Sequence, residues 1–92
     1  SDGTVSYENG ILNALITNTT AESKNYILIY TEYTGSSMTN MAVKRFTVEA
    51  NVLNFPQNFD ISNYMGTDFD TAKGFLWEDT SLIPIAETLI SQ

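Results

Sequence analysis

Neither cysteine nor histidine occurs anywhere in the 92 residues. Without thiols there can be no disulfide and no thiolate metal site, and the redox compartment stays open. Without imidazole, His-based general-base chemistry and most zinc or copper sites fall away. Basic residues are scarce, four Lys and Arg against eleven Asp and Glu, for a net charge of −7. Phosphates and anionic headgroups repel such a chain, which argues against nucleic acid and membrane surfaces as partners. No apolar run reaches membrane-spanning length and no signal-peptide pattern is present, so membrane insertion is not expected. Charged residues of both signs make up only 16%. Ser, Thr and Asn fill the polar positions instead, and Thr and Asn are poorer helix formers than Glu and Lys.

What remains is a β-forming chain. Hydrophobic residues make up 42% of it, ordinary for a globular domain and too many for a disordered one. Its length suits one domain with one core, burying roughly 60–65% of the unfolded surface. The sequence opens at Ser1-Asp2-Gly3 without a start methionine, and residues 1–92 read as a single module cut from a longer protein. No repeat or low-complexity segment interrupts it.

The pattern predicts seven short strands. Residues 4–8 alternate and suit a sheet edge. Asn9-Gly10 follows, and a type I′ turn needs positive φ at both central positions, which Asn and Gly tolerate. Residues 11–17 place Leu12, Ala14 and Ile16 on one face as core candidates, and 18–24 read as a loop. Residues 25–33 are the most β-prone and are apolar on both faces, as a central strand is. One face carries Ile27, Ile29 and Tyr33; the other carries Tyr26, Leu28, Tyr30 and Glu32, and Glu32 suggests that this second face points outward. Gly35-Ser36-Ser37 forms the next turn.

Residues 41–48 and 52–61 follow as strands, separated by Glu49-Ala50-Asn51. Leu53, Phe55, Phe59 and Ile61 share one phase. Pro56 cannot donate to a ladder, so its strand is expected at an edge or a bulge. After a loop at 63–70, residues 71–78 carry Trp77, the single tryptophan, on a central strand. A turn over 79–84 leads to a last strand at 85–90. Residues 86–90 include fair helix formers, but the central strand needs a second neighbour. Seven strands and no convincing helix describe an antiparallel β-sandwich.

Lys73-Gly74-Phe75-Leu76-Trp77-Glu78-Asp79, followed by Leu82-Ile83-Pro84-Ile85-Ala86-Glu87, resembles the closing motif of small immunoglobulin- or fibronectin-III-like modules. Such modules occur in large secreted proteins of clostridia and related bacteria, often at the end of chains carrying polysaccharide-degrading enzymes or cell-surface regions. Ile27-Leu28-Ile29-Tyr30-Thr31-Glu32-Tyr33 is similar to the family's apolar third strand ending in tyrosine, and 43–48 to the next. The likeness spans nearly the whole domain, with the tryptophan region its distinctive part. Two features depart from it: Ile83 stands where the family usually has lysine, and Phe55-Pro56 is unusual in the fifth strand. The resemblance implies an immunoglobulin/fibronectin-III-like sandwich, an extracellular or cell-surface location, a monomer, and an accessory or spacer role beside neighbouring domains of the same chain. It carries no catalytic residue.

The residues themselves offer three candidate chemistries. The carboxylate pairs Asp68 with Asp70 and Glu78 with Asp79 are the enzyme candidates, but glycoside hydrolysis needs two carboxylates flanking a cleft, one in a poorly solvated pocket. Turn positions in a small sandwich do not provide that, and no enzyme activity is expected. Asp60, Asp68 and Asp70 could offer oxygens to calcium, yet the following glycine and acids of a calcium loop are missing. Capping of loops by these acids is the expected role, with no metal or cofactor. The aromatic residues are the third candidate. If Ala72, Gly74 and Leu76 face the core, then Lys73, Phe75 and Trp77 point outward together; the alternative is that Phe75 and Trp77 fill the core. Lys73 in the same phase favours the outward arrangement. Tyr26 and Tyr30 are then expected to share that face with Phe75 and Trp77. Four such rings could stack on a polysaccharide or dock another protein module.

Overall fold

A computed structural model describes residues 2–90. Seven strands run β1 (Asp2–Glu8), β2 (Ile11–Asn18), β3 (Lys24–Thr34), β4 (Ser37–Val48), β5 (Val52–Asp60), β6 (Thr71–Glu78) and β7 (Ile83–Ile90). They form two antiparallel sheets, one in the order β1-β2-β5 and one in the order β4-β3-β6-β7. No helix occurs among the described residues. The all-β sandwich expected from the alternation is the fold observed, and β3 and β6 are the two central strands of the larger sheet, as β2 is of the smaller.

Local chemistry explains the connections. Asn9 (φ 48°) and Gly10 (φ 83°) both occupy the left-handed region, as the β1–β2 hairpin requires. Pro56 lies on β5, whose one ladder partner is β2, so its missing N–H faces no neighbouring strand. The ladder slips between Ile16 and Asn18 of β2, where β5 contributes one residue too many. Asn54 takes up the bulge with φ 52° and donates its backbone N–H to Thr17 Oγ1 at 3.1 Å. The bulge reverses the side-chain phase, so Leu53 is exposed instead of sharing the core with Phe59 and Ile61, as alternation alone had predicted.

The core lies between the sheets. Leu12, Ala14 and Ile16 of β2 face Tyr26, Leu28 and Tyr30 of β3 and Ala72 and Leu76 of β6, with Val48, Phe59, Ile61 and Ile90 around them. Gly74 shows how closely the layers approach: a Cβ on it would lie 2.5 Å from Leu12 Cδ2. Asn18, expected in a loop, ends β2 fully buried. Its Nδ2 donates to the carbonyls of Glu22 (2.9 Å), Glu49 (3.1 Å) and Val48 (3.3 Å), and its Oδ1 accepts from Thr20 Oγ1 (2.7 Å) and the Thr20 amide (3.1 Å). One amide thereby ties the β2–β3 loop to the β4–β5 turn.

Glu32 corrects the expected orientation of β3. It is 3% exposed and sits on the core side with Tyr26, Leu28 and Tyr30. A buried carboxylate is tolerated only when its oxygens are satisfied, and here they are. Oε2 accepts from Tyr30 Oη (2.6 Å) and the Gly66 amide (2.7 Å), while Oε1 accepts from Asn40 Nδ2 (3.3 Å). Asn40 Nδ2 also reaches the Tyr64 carbonyl at 2.6 Å. This network holds the 61–70 loop against β3 and β4.

Candidate functional site

The strand phase decides which residues any partner can meet. On β6, Ala72, Gly74 and Leu76 are buried and Lys73, Phe75 and Trp77 point away from the core. The outward arrangement favoured by Lys73 is the one observed. Tyr26 and Tyr30 do not join it: both are fully buried in the core. The register gives the reason. Antiparallel partners on one face stand directly opposite each other, and opposite Trp77 and Phe75 stand Ile27 and Ile29. The two tyrosines belong to the other phase, carried inward with Glu32.

The outer face of the four-stranded sheet is therefore built from one phase of each strand. Met41, Val43 and Arg45 come from β4, and Ile27, Ile29, Thr31 and Tyr33 from β3. Lys73, Phe75 and Trp77 come from β6, facing Leu89, Glu87 and Pro84 of β7. Met41 is 57% exposed and Leu89 72%, with Val43 exposed between its neighbours. Ile27 and Thr31, in the middle of the sheet, are covered by the longer side chains around them. These apolar groups form one continuous patch across the four strands.

The aromatic pair sits at one end. The Phe75 and Trp77 rings are 6.5 Å apart and nearly perpendicular, at 82°. The β6–β7 ladder slips between Leu76 and Trp77, where β7 carries one extra residue. Beside that bulge lies an open crevice of about 360 Å³ lined by Phe75, Trp77, Pro84, Ile85, Ala86 and Glu87. The Trp77 indole N–H is buried with no hydrogen-bond partner. Leu82 and Ile83, both exposed, extend the apolar surface past the end of the crevice, with Leu82 in left-handed backbone at φ 56°.

Charge on this face is balanced. Arg45 Nε meets Asp79 Oδ2 at 3.2 Å. Lys73 Nζ lies 5.8 Å from the centre of the Tyr33 ring, a cation–π distance. Glu87, across the ladder from Phe75, is exposed. Two cations and two anions occupy the face, so the whole net charge of −7 resides elsewhere. The outer face of the other sheet is different in kind. It presents Asp2, Thr4, Ser6, Glu8, Asn58 and Asp60, with Ile11, Leu15, Pro56 and Leu53 as its apolar members.

Four of the remaining carboxylates, Asp60, Asp70, Glu78 and Asp79, hold neighbouring groups. Asp70 Oδ2 accepts from the Gly35 amide at 2.7 Å, at the β3–β4 turn. Asp60 Oδ1 accepts from Ser62 Oγ (2.6 Å) and the Ser62 amide (2.9 Å), and these bonds hold its carboxyl below the usual carboxylate range. Glu78 is 3.7 Å from Lys24 Nζ, so Glu78 and Asp79 each have their own basic partner and do not act as a pair. Among the described residues no three acidic side chains gather as a metal site would need, and Asp60, Asp68 and Asp70 are not brought together.

Comparison with known protein families, curated proteins and solved structures finds no match.

Proposed function

We propose that the chain is a non-catalytic accessory module of an extracellular multimodular protein, and that it works by docking a protein surface onto the outer face of the β4-β3-β6-β7 sheet. The observation that carries this reading is the concentration of exposed Met41, Val43 and Leu89 with half-buried Phe75 and Trp77 on the one charge-balanced face of a strongly acidic molecule. Interface centres are enriched in aromatic residues and Met, and Phe75, Trp77 and Met41 supply both here. A fibronectin-III-like identity is supported by the strand order: β4 pairs with β3, whereas constant-type immunoglobulin sandwiches place the fourth strand with the first, second and fifth. The secreted, cell-surface setting rests on the resemblance of the Lys73-to-Glu87 motif to clostridial-type modules.

A polysaccharide ligand is the second reading, favoured by the crevice beside Phe75 and Trp77 with the Glu87 carboxylate at its rim. Two features weaken it. Perpendicular rings offer no flat platform for successive sugars. Sugar hydroxyls would also lose water against Ile29, Val43, Met41 and Leu89 without gaining hydrogen bonds.

The test is oxidative footprinting of Met41 and Trp77 in the isolated module and in the intact parent protein. With the isolated module kept dilute enough to be monomeric, protection of both side chains in the parent is the expected result; equal reactivity in both settings would count against a protein docked on this face. A glycan array with wild type and Trp77→Ala separates the second reading. Retention on a polysaccharide, lost in a folded Trp77→Ala variant, would favour sugar binding.

A further inference from the structure

We propose that the occupant of the outer face is a second copy of this chain, packed face to face about a two-fold axis. The inference rests on the reading of that face as a protein contact and names its partner. Charge argues for it first. The molecule carries −7, and two copies repel through every surface on which that charge lies. The outer face of the β4-β3-β6-β7 sheet is the charge-balanced exception.

The pattern on that face is also self-complementary. Lys73 and Glu87 sit diagonally across the β6–β7 ladder, Lys73 opposite Leu89 and Phe75 opposite Glu87. Among the described residues neither is in an ion pair, whereas Arg45 and Lys24 both are. An isologous contact requires that if one residue meets another, the reverse contact also forms. A two-fold axis in the plane of contact, along the line from Phe75 to Leu89, sets Lys73 against the partner's Glu87 and Glu87 against the partner's Lys73. The same axis stacks Phe75 on the partner's Phe75 and Leu89 on the partner's Leu89. Strands then cross steeply, within the range of orthogonal sheet packing.

Size sets the strength. Four strands at ~4.8 Å spacing and about eight residues long make a face of roughly 20 by 27 Å. Two such faces crossing steeply overlap over only part of this and bury roughly 800 Å² in all, at the low end that weak, transient contacts occupy. A contact of this size is expected to form and dissociate readily.

Sedimentation equilibrium of the chain across the micromolar range tests this. Wild type is expected to dimerise. Lys73→Glu and Glu87→Lys singly, each altering two symmetry-related contacts, are expected to weaken the dimer about tenfold or more, and the double reversal to restore it. Leu89→Ser, at an exposed position, should abolish association while leaving the circular dichroism, and the unfolding midpoint of the dilute monomer, unchanged. A wild type that stays monomeric, or a double reversal that fails to recover, overturns the proposal. A soluble paramagnetic probe separates this failure from failure of the broader reading. Should a monomeric chain leave the Met41 and Leu89 methyls open to the probe, only the second-copy proposal falls. Should those methyls be shielded in a monomer, no free docking face exists and both fall.

Discussion

Truncating Glu32 to alanine removes the acceptor for three donors at once, and the structure allows the cost to be worked out. The Tyr30 hydroxyl, 2.6 Å from Oε2, belongs to a fully buried side chain and would have no replacement. The Gly66 amide lies on an exposed residue and can rehydrate once the loop shifts, and Asn40 Nδ2 keeps the Tyr64 carbonyl. One buried donor left unsatisfied costs about 1–3 kcal/mol, and a hydrogen bond to a charged group contributes about 1.5–3 kcal/mol. Against this stands relief of the carboxylate's own desolvation. The expected net loss is roughly 2–4 kcal/mol, a large share of the 5–15 kcal/mol typical of a folded domain. Glu32→Gln should not rescue it fully, because a side-chain NH₂ would confront either Asn40 Nδ2 or the Tyr30 and Gly66 donors. Replacing both partners, as Glu32→Leu with Tyr30→Phe, should recover part of the loss, since apolar substitution of a whole pair can be nearly neutral. Urea unfolding followed by Trp77 fluorescence measures all of these, with hydrogen exchange at Gly66 reporting release of the loop. A Glu32→Ala midpoint within about 0.5 kcal/mol of wild type at unchanged m-value would refute the reasoning.

Three further outcomes follow from the same contacts. Burial, then the hydrogen bond to Glu32 and its charge, then the charge of Tyr7, push the Tyr30 phenol well above its ordinary value of 10.0. The folded pKa is raised, so this contribution to stability is complete below pH 10 and declines as pH rises above it; spectrophotometric titration should show Tyr30 ionising only as the chain unfolds. Ser62→Ala should return the Asp60 carboxyl toward its ordinary 3.8, seen as an upward shift in its NMR titration, and an unchanged titration would mean that Ser62 is not the cause. Gly74→Ala should cost about 1–3 kcal/mol by driving a methyl into Leu12, and a midpoint equal to wild type would show that the sheets are not in close contact there.

Much of the fold is legible in the chain because two-residue alternation and turn chemistry are local. Asn9-Gly10, the edge position of Pro56 and the inward phase of Leu12, Ala14 and Ile16 all follow from residues read within a few positions of one another. Glu32 is where local reading fails. Charge on a strand normally marks the solvent side, and only the distant Asn40 and Gly66 make burial of this carboxylate tolerable. That inversion sends Tyr26 and Tyr30 inward and replaces them on the candidate face by Ile27 and Ile29. Met41, Val43 and Leu89 were missed as site residues for a related reason. Singly exposed aliphatic residues signify little, and their clustering depends on register between β4, β3, β6 and β7, which no short window contains. Even with Phe75 and Trp77 assigned outward, the pairing of β3 with β6 leaves two phases open, and only the observed register, Ile27 opposite Trp77 and Ile29 opposite Phe75, selects the isoleucines. Leu53 was misplaced by the Asn54 bulge, whose positive φ leaves little trace in an Asn-Phe-Pro sequence.

The central claim is that β3 and β6 turn one apolar set inward and a second one out to a partner. Paramagnetic relaxation of side-chain methyls by a soluble probe, with the chain at concentrations low enough to be monomeric, measures this directly. The account predicts strong broadening at Met41, Val43 and Leu89 and none at Leu12, Leu28 or Leu76. Broadening at Leu28 or Leu76, with Leu89 protected, would contradict it.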